Sequence, residues 1–598
     1  MGKAWRWFLL FLTVLAAGQA IAQQTTDCDQ RAQALLSRMT LEERIGQMVQ
    51  VDMNALKNKA DIQKYAIGSM LSGGDSDPAD ITAKGWRRAC DEYQAWALKT
   101  RLKVPLIYGI DAVHGHNNVD GAVIFPHNIG LGATRNPALV EQAEHITAME
   151  VAGTGIHWAF APCIAVARCE RWGRTYESFG ESPELAAELG AAAVKGFQAK
   201  LPDGSSVLAC AKHFMGDGAT QNGVDQGNAV CDEATFRQLH LAPYIQAIKA
   251  GAGSIMVSYS SWNGEKMHGN KHLLTDVLKG ELGFQGFLVS DWAAIDQLSR
   301  DYKTDIEKSI NAGLDMVMIP NGLGQKNNYI EFMTLLKGLV AEGKVSPARI
   351  DDAARRILRV KYQMGLFEHP YGDTKLTAEV GSAEHRKVAR ECVRQSLVLL
   401  KNDKHSLPLS KALKHLVVVG QGADDVGMQC GGWTIDWQGK SGQVTHGGTT
   451  ILAALRQAVG PKGQVTFSPD ASQLQGADAI IAVVGEQPYA EMKGDRSDLR
   501  VSPKDVALIE KAKGSGVPVV TVLLSGRPLV LGQALETSDA LVAAWLPGTE
   551  GAGVADVLLG DYKPTGKLPR TWPRTNEQIV GGDSDKPAQF AFGFGLTY

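Results

Sequence analysis

The sequence predicts an α/β protein of two domains: an N-terminal barrel of the (β/α)8 type, then a C-terminal α/β sandwich with a mostly parallel sheet. Three observations carry this. A chain of 598 residues is too long for one hydrophobic core. Between about residues 24 and 375, eight short apolar runs alternate with amphipathic helical stretches, the repeat of a (β/α)8 barrel. After residue 390, four further buried runs read as an open sheet covered by helices. The division that follows is 1–22 signal peptide, 23–375 barrel, 376–390 linker and start of a connecting helix, and 391–598 sandwich.

At the N-terminus, Lys3 and Arg6 precede an apolar run from Trp7 to Ala17, and Ala20-Ile21-Ala22 offers a small-residue cleavage site. The run is too short to span a bilayer. Export to the periplasm or medium is therefore expected, with no later segment to hold the chain in a membrane. The composition is 44% apolar and 21% charged, with a net charge of −3. No basic stripe or arginine-rich run occurs, which excludes nucleic acid as a partner. The eight cysteines all follow the leader, an even number that permits disulfides in an exported protein. Cys163 with Cys169 is the expected bridge, and buried free thiols are expected elsewhere. No CxxC pair occurs, so a structural zinc site is not expected.

The barrel strands are expected at 46–53, 67–71, 105–111, 155–161, 207–213, 254–259, 286–291 and 314–319, with helices such as 137–153 and 232–251 between them. A polar connector near 369–381 leads into a helical stretch at 382–401. The second-domain strands are expected at 415–419, 479–484, 517–524 and 540–546. Val419-Gly420-Gln421-Gly422 lacks the third glycine of a dinucleotide loop, with Asp425 in its place, so that reading is set aside.

Chemistry gathers at the strand ends. The run Phe287-Leu288-Val289-Ser290 stops at Asp291 and Trp292. A carboxylate buried there costs several kcal/mol unless it is used or paired, and the neighbouring indole offers a flat face for a sugar ring. Capping of the following helix accounts for such an Asp equally well. Asp111 ends its strand ahead of His114-Gly115-His116, where a carboxylate suits two sugar hydroxyls and the His pair suits a metal. Barrel metallohydrolases, however, place such a pair on the first strand, not beyond the third. Arg171-Trp172-Gly173-Arg174 leads to Glu177, and a salt-bridged loop accounts for Arg171 and Glu177. Lys212 and His213 close another strand, where both can reach one ligand; a core histidine is the ordinary alternative. In the second domain, Trp433 projects from a glycine-rich loop, as expected of an exposed stacking residue. Glu486, Glu491 and Asp495 crowd another loop, where acids are usually just solvated.

Seven segments in register resemble one family: Gly109–Gly115, Arg171–Arg174, Lys212–Phe214, Ser258–Gly264, Val289–Trp292, Cys430–Trp433 and Gly485–Glu491. The chain is similar to the β-glucosidases of glycoside hydrolase family 3, of the two-domain exo-β-1,3/1,4-glucan glucohydrolase type. That resemblance implies a retaining enzyme without cofactor or metal, acting on β-linked gluco-oligosaccharides and β-glucans. Asp291 would be the nucleophile and Glu491 the general acid/base. Asp111, Arg174, Lys212 and His213 would hold the terminal glucose, with Tyr259 beside the nucleophile and Trp292 and Trp433 around the next sugar. Arg168-Cys169-Glu170 departs from the family's usual Arg-Asp pair, and the 216–220 loop lacks the histidine of N-acetylglucosaminidases. A β-xylosidase is the near rival. A metal-dependent barrel hydrolase using His114, His116 and His213, and a non-catalytic sugar binder, are the distant ones. Electrostatically, Lys212 and Arg174 should keep Asp291 ionised, while Glu491 should see less positive charge and keep its proton.

Overall fold

The computed structural model describes residues 26–579 and 587–598. The leader expected at 1–22 lies outside the described residues. Eight parallel strands form the first sheet: β1 (Val49–Asp52), β2 (Ser69–Ser72), β3 (Ile107–Ile110), β4 (Trp158–Ala159), β5 (Leu208–Phe214), β6 (Ser254–Val257), β7 (Phe287–Val289) and β8 (Val317–Ile319). Each pairs with its neighbour in chain order from β1 to β7, and β8 pairs back onto β1. A single bridge between Val289 and Met316 nearly closes the ring. Six fall inside the expected runs, and β2 and β5 each extend one residue past theirs, to Ser72 and Phe214; strands buried on both faces read as continuous apolar segments. Inside the ring, Trp158 meets Phe160 and Phe287 edge-on and donates its indole N–H to Ser254 Oγ at 2.9 Å.

The helix at Pro137–Gly153 stands where the sequence places it, opened by the Asn136 cap and a proline in its first turn. The 232–251 stretch instead forms two helices, Glu233–His240 and Ala242–Lys249. Pro243 cannot donate to the preceding turn, so the first helix stops before it. The helical reading of 382–401 also needs correction. The helix ends at Ser396, and Val398–Asn402 forms an edge strand, β9. A short apolar run such as Leu397-Val398-Leu399-Leu400 suits either state, and pairing decides.

The second sheet has six strands: β9, β10 (His415–Val419), β11 (Gln464–Phe467), β12 (Ala479–Gly485), β13 (Val519–Leu524) and β14 (Ala540–Trp545), in the order β9-β14-β13-β12-β10-β11. Five are parallel, and β9 runs antiparallel to β14. The sequence did not signal β11, a half-exposed edge strand without a continuous apolar run. One face of this sheet shares an apolar cluster with the barrel domain: Val113, Ile129 and Tyr176 pack with Trp433, Trp545 and Trp572. That shared core holds the second-domain loops over the barrel mouth.

The expected Cys163–Cys169 bridge is absent, and all eight cysteines are free thiols. Cys163 is buried beside His213 and Asp217, whereas the Cys169 sulfur points at the Ile579 carbonyl, 3.9 Å away. Short spacing in sequence does not bring two Cβ vectors into disulfide geometry. Among the described residues, no helix is long and apolar enough to cross a membrane.

Candidate active site

A cavity of about 320 Å³ opens at the C-terminal ends of the barrel strands. All nine residues singled out in the sequence line it: Asp111 after β3, Arg174 from the loop after β4, Lys212 and His213 in β5, Tyr259 after β6, Asp291 and Trp292 after β7, and Trp433 and Glu491 from the second domain. Gly73, Gly74, Gln226, Met256, Met318, Trp437 and Met492 complete the wall.

Asp291 is not a helix cap. One oxygen accepts only the adjacent Trp292 N–H, at 2.7 Å, and the short helix that follows, Ala294–Gln297, has no side-chain cap. Its other oxygen, Oδ2, is buried with no hydrogen-bond partner and lies 3.6 Å from His213 Nε2. A buried, unpartnered carboxylate oxygen is costly, and Asp291 lines the cavity in which a substrate would sit. Tyr259 donates its hydroxyl to the Trp292 carbonyl, which fixes the turn carrying Asp291.

Lys212 Nζ donates to Asp111 Oδ1 at 2.8 Å. His213 Nδ1 lies 2.8 Å from Asp217 Oδ2, and its Nε2 lies 3.3 Å from an Arg174 nitrogen. Burial, together with Arg174 and Lys212, holds the imidazole well below its usual pKa, so His213 is neutral. Arg174 is buried, bidentate to Glu177 at 2.8 and 2.9 Å, and its third nitrogen lies 3.1 Å from Glu491 Oε1. Glu177 also accepts the Trp433 indole N–H at 3.2 Å, so it orients both a cation and an aromatic wall. Glu177 is salt-bridged as the loop reading expected, but to Arg174; Arg171 instead donates to the Asn576 carbonyl at 3.4 Å. The contact of Glu177 with Trp433, from the other domain, had no local signal.

Trp433 is 6% exposed and Trp292 40%, which reverses the expectation for Trp433. The 430–439 loop folds back onto the barrel: the Trp433 N–H donates to the Trp437 carbonyl at 2.9 Å, and its own carbonyl accepts Asn117 Nδ2 at 2.6 Å. The Arg174 guanidinium and the Lys212 ammonium stand 5.9 and 5.8 Å from its ring. Trp437, from the same loop, joins the wall.

The two carboxyls that matter most titrate apart. Burial raises Asp291 to about 6 despite Arg174, the Trp292 N–H and Lys212. Burial also raises Glu491 to about 8, with Arg174 opposing and Asp225, Asp291 and Glu177 reinforcing. The expected separation is present, but its cause is different. Glu491 does touch a cation, and desolvation together with neighbouring carboxylates outweighs it. Glu486 lies outside this cavity. Its carboxylate accepts the Gly526 N–H and the Tyr489 hydroxyl, both at 3.0 Å, and pairs with Arg527 and Arg496, each at 3.2 Å. His114 and His116 are committed elsewhere too. His114 stacks on His127 with ring centroids 3.6 Å apart, and His116 Nε2 bonds Thr154 Oγ1 at 2.8 Å. They do not converge with His213. Among the described residues, the one set spaced for a metal ion is Cys163, His213 and Asp217.

Comparison with known proteins gives the chain's relatives. The chain is 35% identical to the lysosomal beta glucosidase of Dictyostelium discoideum, over 94% of this chain and 75% of that one. It is 34% identical to the periplasmic beta-glucosidase of Salmonella typhimurium, over 91% and 74%. The crystal structure of the exo-1,3/1,4-beta-glucanase from a Pseudoalteromonas species superposes with a TM-score of 0.90 at 41% identity, covering 96% of this chain and 74% of that one. Residues 40–360 match the Glycosyl hydrolase family 3 N terminal domain and 397–598 the Glycosyl hydrolase family 3 C-terminal domain, so the chain belongs to glycosyl hydrolase family 3.

Proposed function

We propose that the protein is a retaining, exo-acting β-glucosidase that releases glucose from the non-reducing ends of β-glucans and β-linked gluco-oligosaccharides. The observation that carries this reading is the pair of cavity carboxyls: Asp291 has a free oxygen and titrates near 6, and Glu491 titrates near 8. At neutral pH the first is mainly ionised and the second mainly protonated, the combination a double displacement needs.

The terminal glucose binds among Asp111, Lys212, Arg174 and His213, where paired charges offer donors and acceptors to adjacent hydroxyls. Trp292 and Trp433 flank the leaving sugar. Glu491 gives its proton to the glycosidic oxygen as Asp291 Oδ2 attacks the anomeric carbon from the opposite face, forming a glycosyl-enzyme ester. Glu491, now ionised, takes a proton from water, whose oxygen attacks the same carbon and expels Asp291. Two inversions leave the β-configuration. The names of the relatives support glucose as the sugar released and β-1,3 and β-1,4 linkages as those cut. The same reading makes residues 1–22 an export leader, supported by the periplasmic relative and tested by the N-terminus of the mature protein.

A 2-deoxy-2-fluoro-glucoside with an activated leaving group should trap the ester, and peptide mass spectrometry should find it on Asp291. A label on another residue, or α-glucose as the first product in proton NMR, would overturn the assignment.

A further inference from the structure

Glu491 has no rigid element beneath it. It opens a single helical turn, Glu491–Gly494, in the loop after β12, at a φ of 51°. A loop carboxyl must be placed to a fraction of an ångström for proton transfer, so something outside the loop must hold it.

The barrel does this through backbone groups. Asp495 closes the turn, and its two oxygens accept the Gly173 N–H and the Asp225 N–H, each at 2.7 Å. Both donors belong to barrel-domain loops, and Gly173 immediately precedes Arg174, whose guanidinium contacts Glu491. The loop lies flat on Gly173: a Cβ there would stand 1.9 Å from the Glu491 carbonyl oxygen and 2.8 Å from Gly494. Arg496 adds a backbone bond to the Arg171 carbonyl at 3.2 Å. Charge-assisted bonds to two backbone N–H groups are strong and directional, and no neutral side chain replaces both.

We propose that Asp495 is a positioning residue: its carboxylate clamps the Glu491 loop onto Gly173 and Asp225 of the barrel domain and so sets where the acid/base carboxyl sits. The inference rests on Glu491 being the acid/base. The clamp also holds Asp225 close. Asp225 gives one oxygen to the Trp172 indole N–H at 2.9 Å, its other oxygen is buried without a partner, and it is one of the charges acting on Glu491. The charges acting most on Glu491 are Arg174 in one sense and Asp225, Asp291 and Glu177 in the other, and the Tyr259 and Tyr176 hydroxyls face it as well. Loosening the clamp withdraws a like charge, so Glu491 loses its proton at lower pH.

The test uses Asp495→Asn in the full-length protein. An amide oxygen accepts one of the two N–H groups, and the amide nitrogen opposes the other. The measured quantity is kcat/KM, which reports the steps through glycosylation, for a gluco-disaccharide and for dinitrophenyl glucoside. The disaccharide should lose about 10–100-fold, as expected for a misplaced catalytic group. The dinitrophenyl substrate, which needs no proton, should lose less than about threefold. The alkaline limb of the disaccharide profile should move to lower pH. Gly173→Ala, which displaces the loop from the barrel side, should give the same leaving-group dependence with the thermal transition retained. Equal losses on both substrates, or no loss and an unmoved limb, would overturn the clamp. Glu491→Ala serves as the control. If it shows no leaving-group dependence, the acid/base assignment itself fails; if it does and both clamp variants do not, only this inference fails.

Discussion

The guanidinium of Arg174 reaches Glu177, His213 and Glu491 together, and through His213 it stands next to Asp291. One cation therefore acts on both carboxyls, and burial works against it at each. In the proposed double displacement Asp291 must be ionised to attack, so activity should fall as pH drops through about 6. In the same proposal Glu491 must be protonated to donate, so activity should fall as pH rises through about 8. The profile of kcat/KM on a gluco-disaccharide should be a bell between these limbs. Asp291 faces Arg174, Lys212, His213 and Asp111; Glu491 faces Arg174, Asp225, Asp291 and Glu177. In Arg174→Gln a cation leaves both environments, so both limbs should move to higher pH, in addition to any loss of binding. A shift of only one limb would mean that Arg174 serves one carboxyl alone.

Among the elements, the two tryptophan-bearing loops have different duties despite similar sequence signals. Trp292 follows a barrel strand directly and stays 40% exposed, free to stack. Trp433 is held by Glu177, Asn117 and Trp437 and belongs to the apolar cluster between the domains. Trp292→Ala should therefore raise KM for disaccharides by up to about tenfold, the upper range of an aromatic stacking contact, with less effect on aryl glucosides that stack poorly. Its thermal stability should be unchanged. If KM rises equally for both substrate classes, Trp292 does not contact the leaving sugar.

For the whole molecule, the site exists only while the second domain is docked, because Glu491 and Trp433 come from it. Buried polar pairs reinforce that docking. Arg570 donates to Glu170 Oε1 at 2.6 Å and to the Ala167 carbonyl, on the barrel segment that leads to Arg174. Arg570→Met would leave Glu170 buried without its cation, a loss of about 3–5 kcal/mol. Activity should then disappear on heating before barrel secondary structure melts, when kinetic assay and circular dichroism are followed in parallel. Coincident loss of the two signals would show that the domains unfold as one unit whatever the interface.

The sequence by itself determined the barrel strands, the residues at their ends and most of the second sheet. Apolar runs and strand-end polar residues are local patterns, and a strand buried on both faces leaves them in plain view. The ambiguity at Val398–Asn402 and the silence at β11 have the same origin, since pairing partners far along the chain decide such segments. Tertiary structure alone decided what the polar residues do. Glu177 and Asp495 read as ordinary loop charges, and only the approach of the second domain gathers them, with Asp225, around Trp433 and Glu491. It also took Glu486 out of contention, buried Trp433, and kept Cys163 apart from Cys169. The proton affinities of Asp291 and Glu491 follow from desolvation, which depends on every atom that displaces water from them, and most of those atoms are distant in sequence.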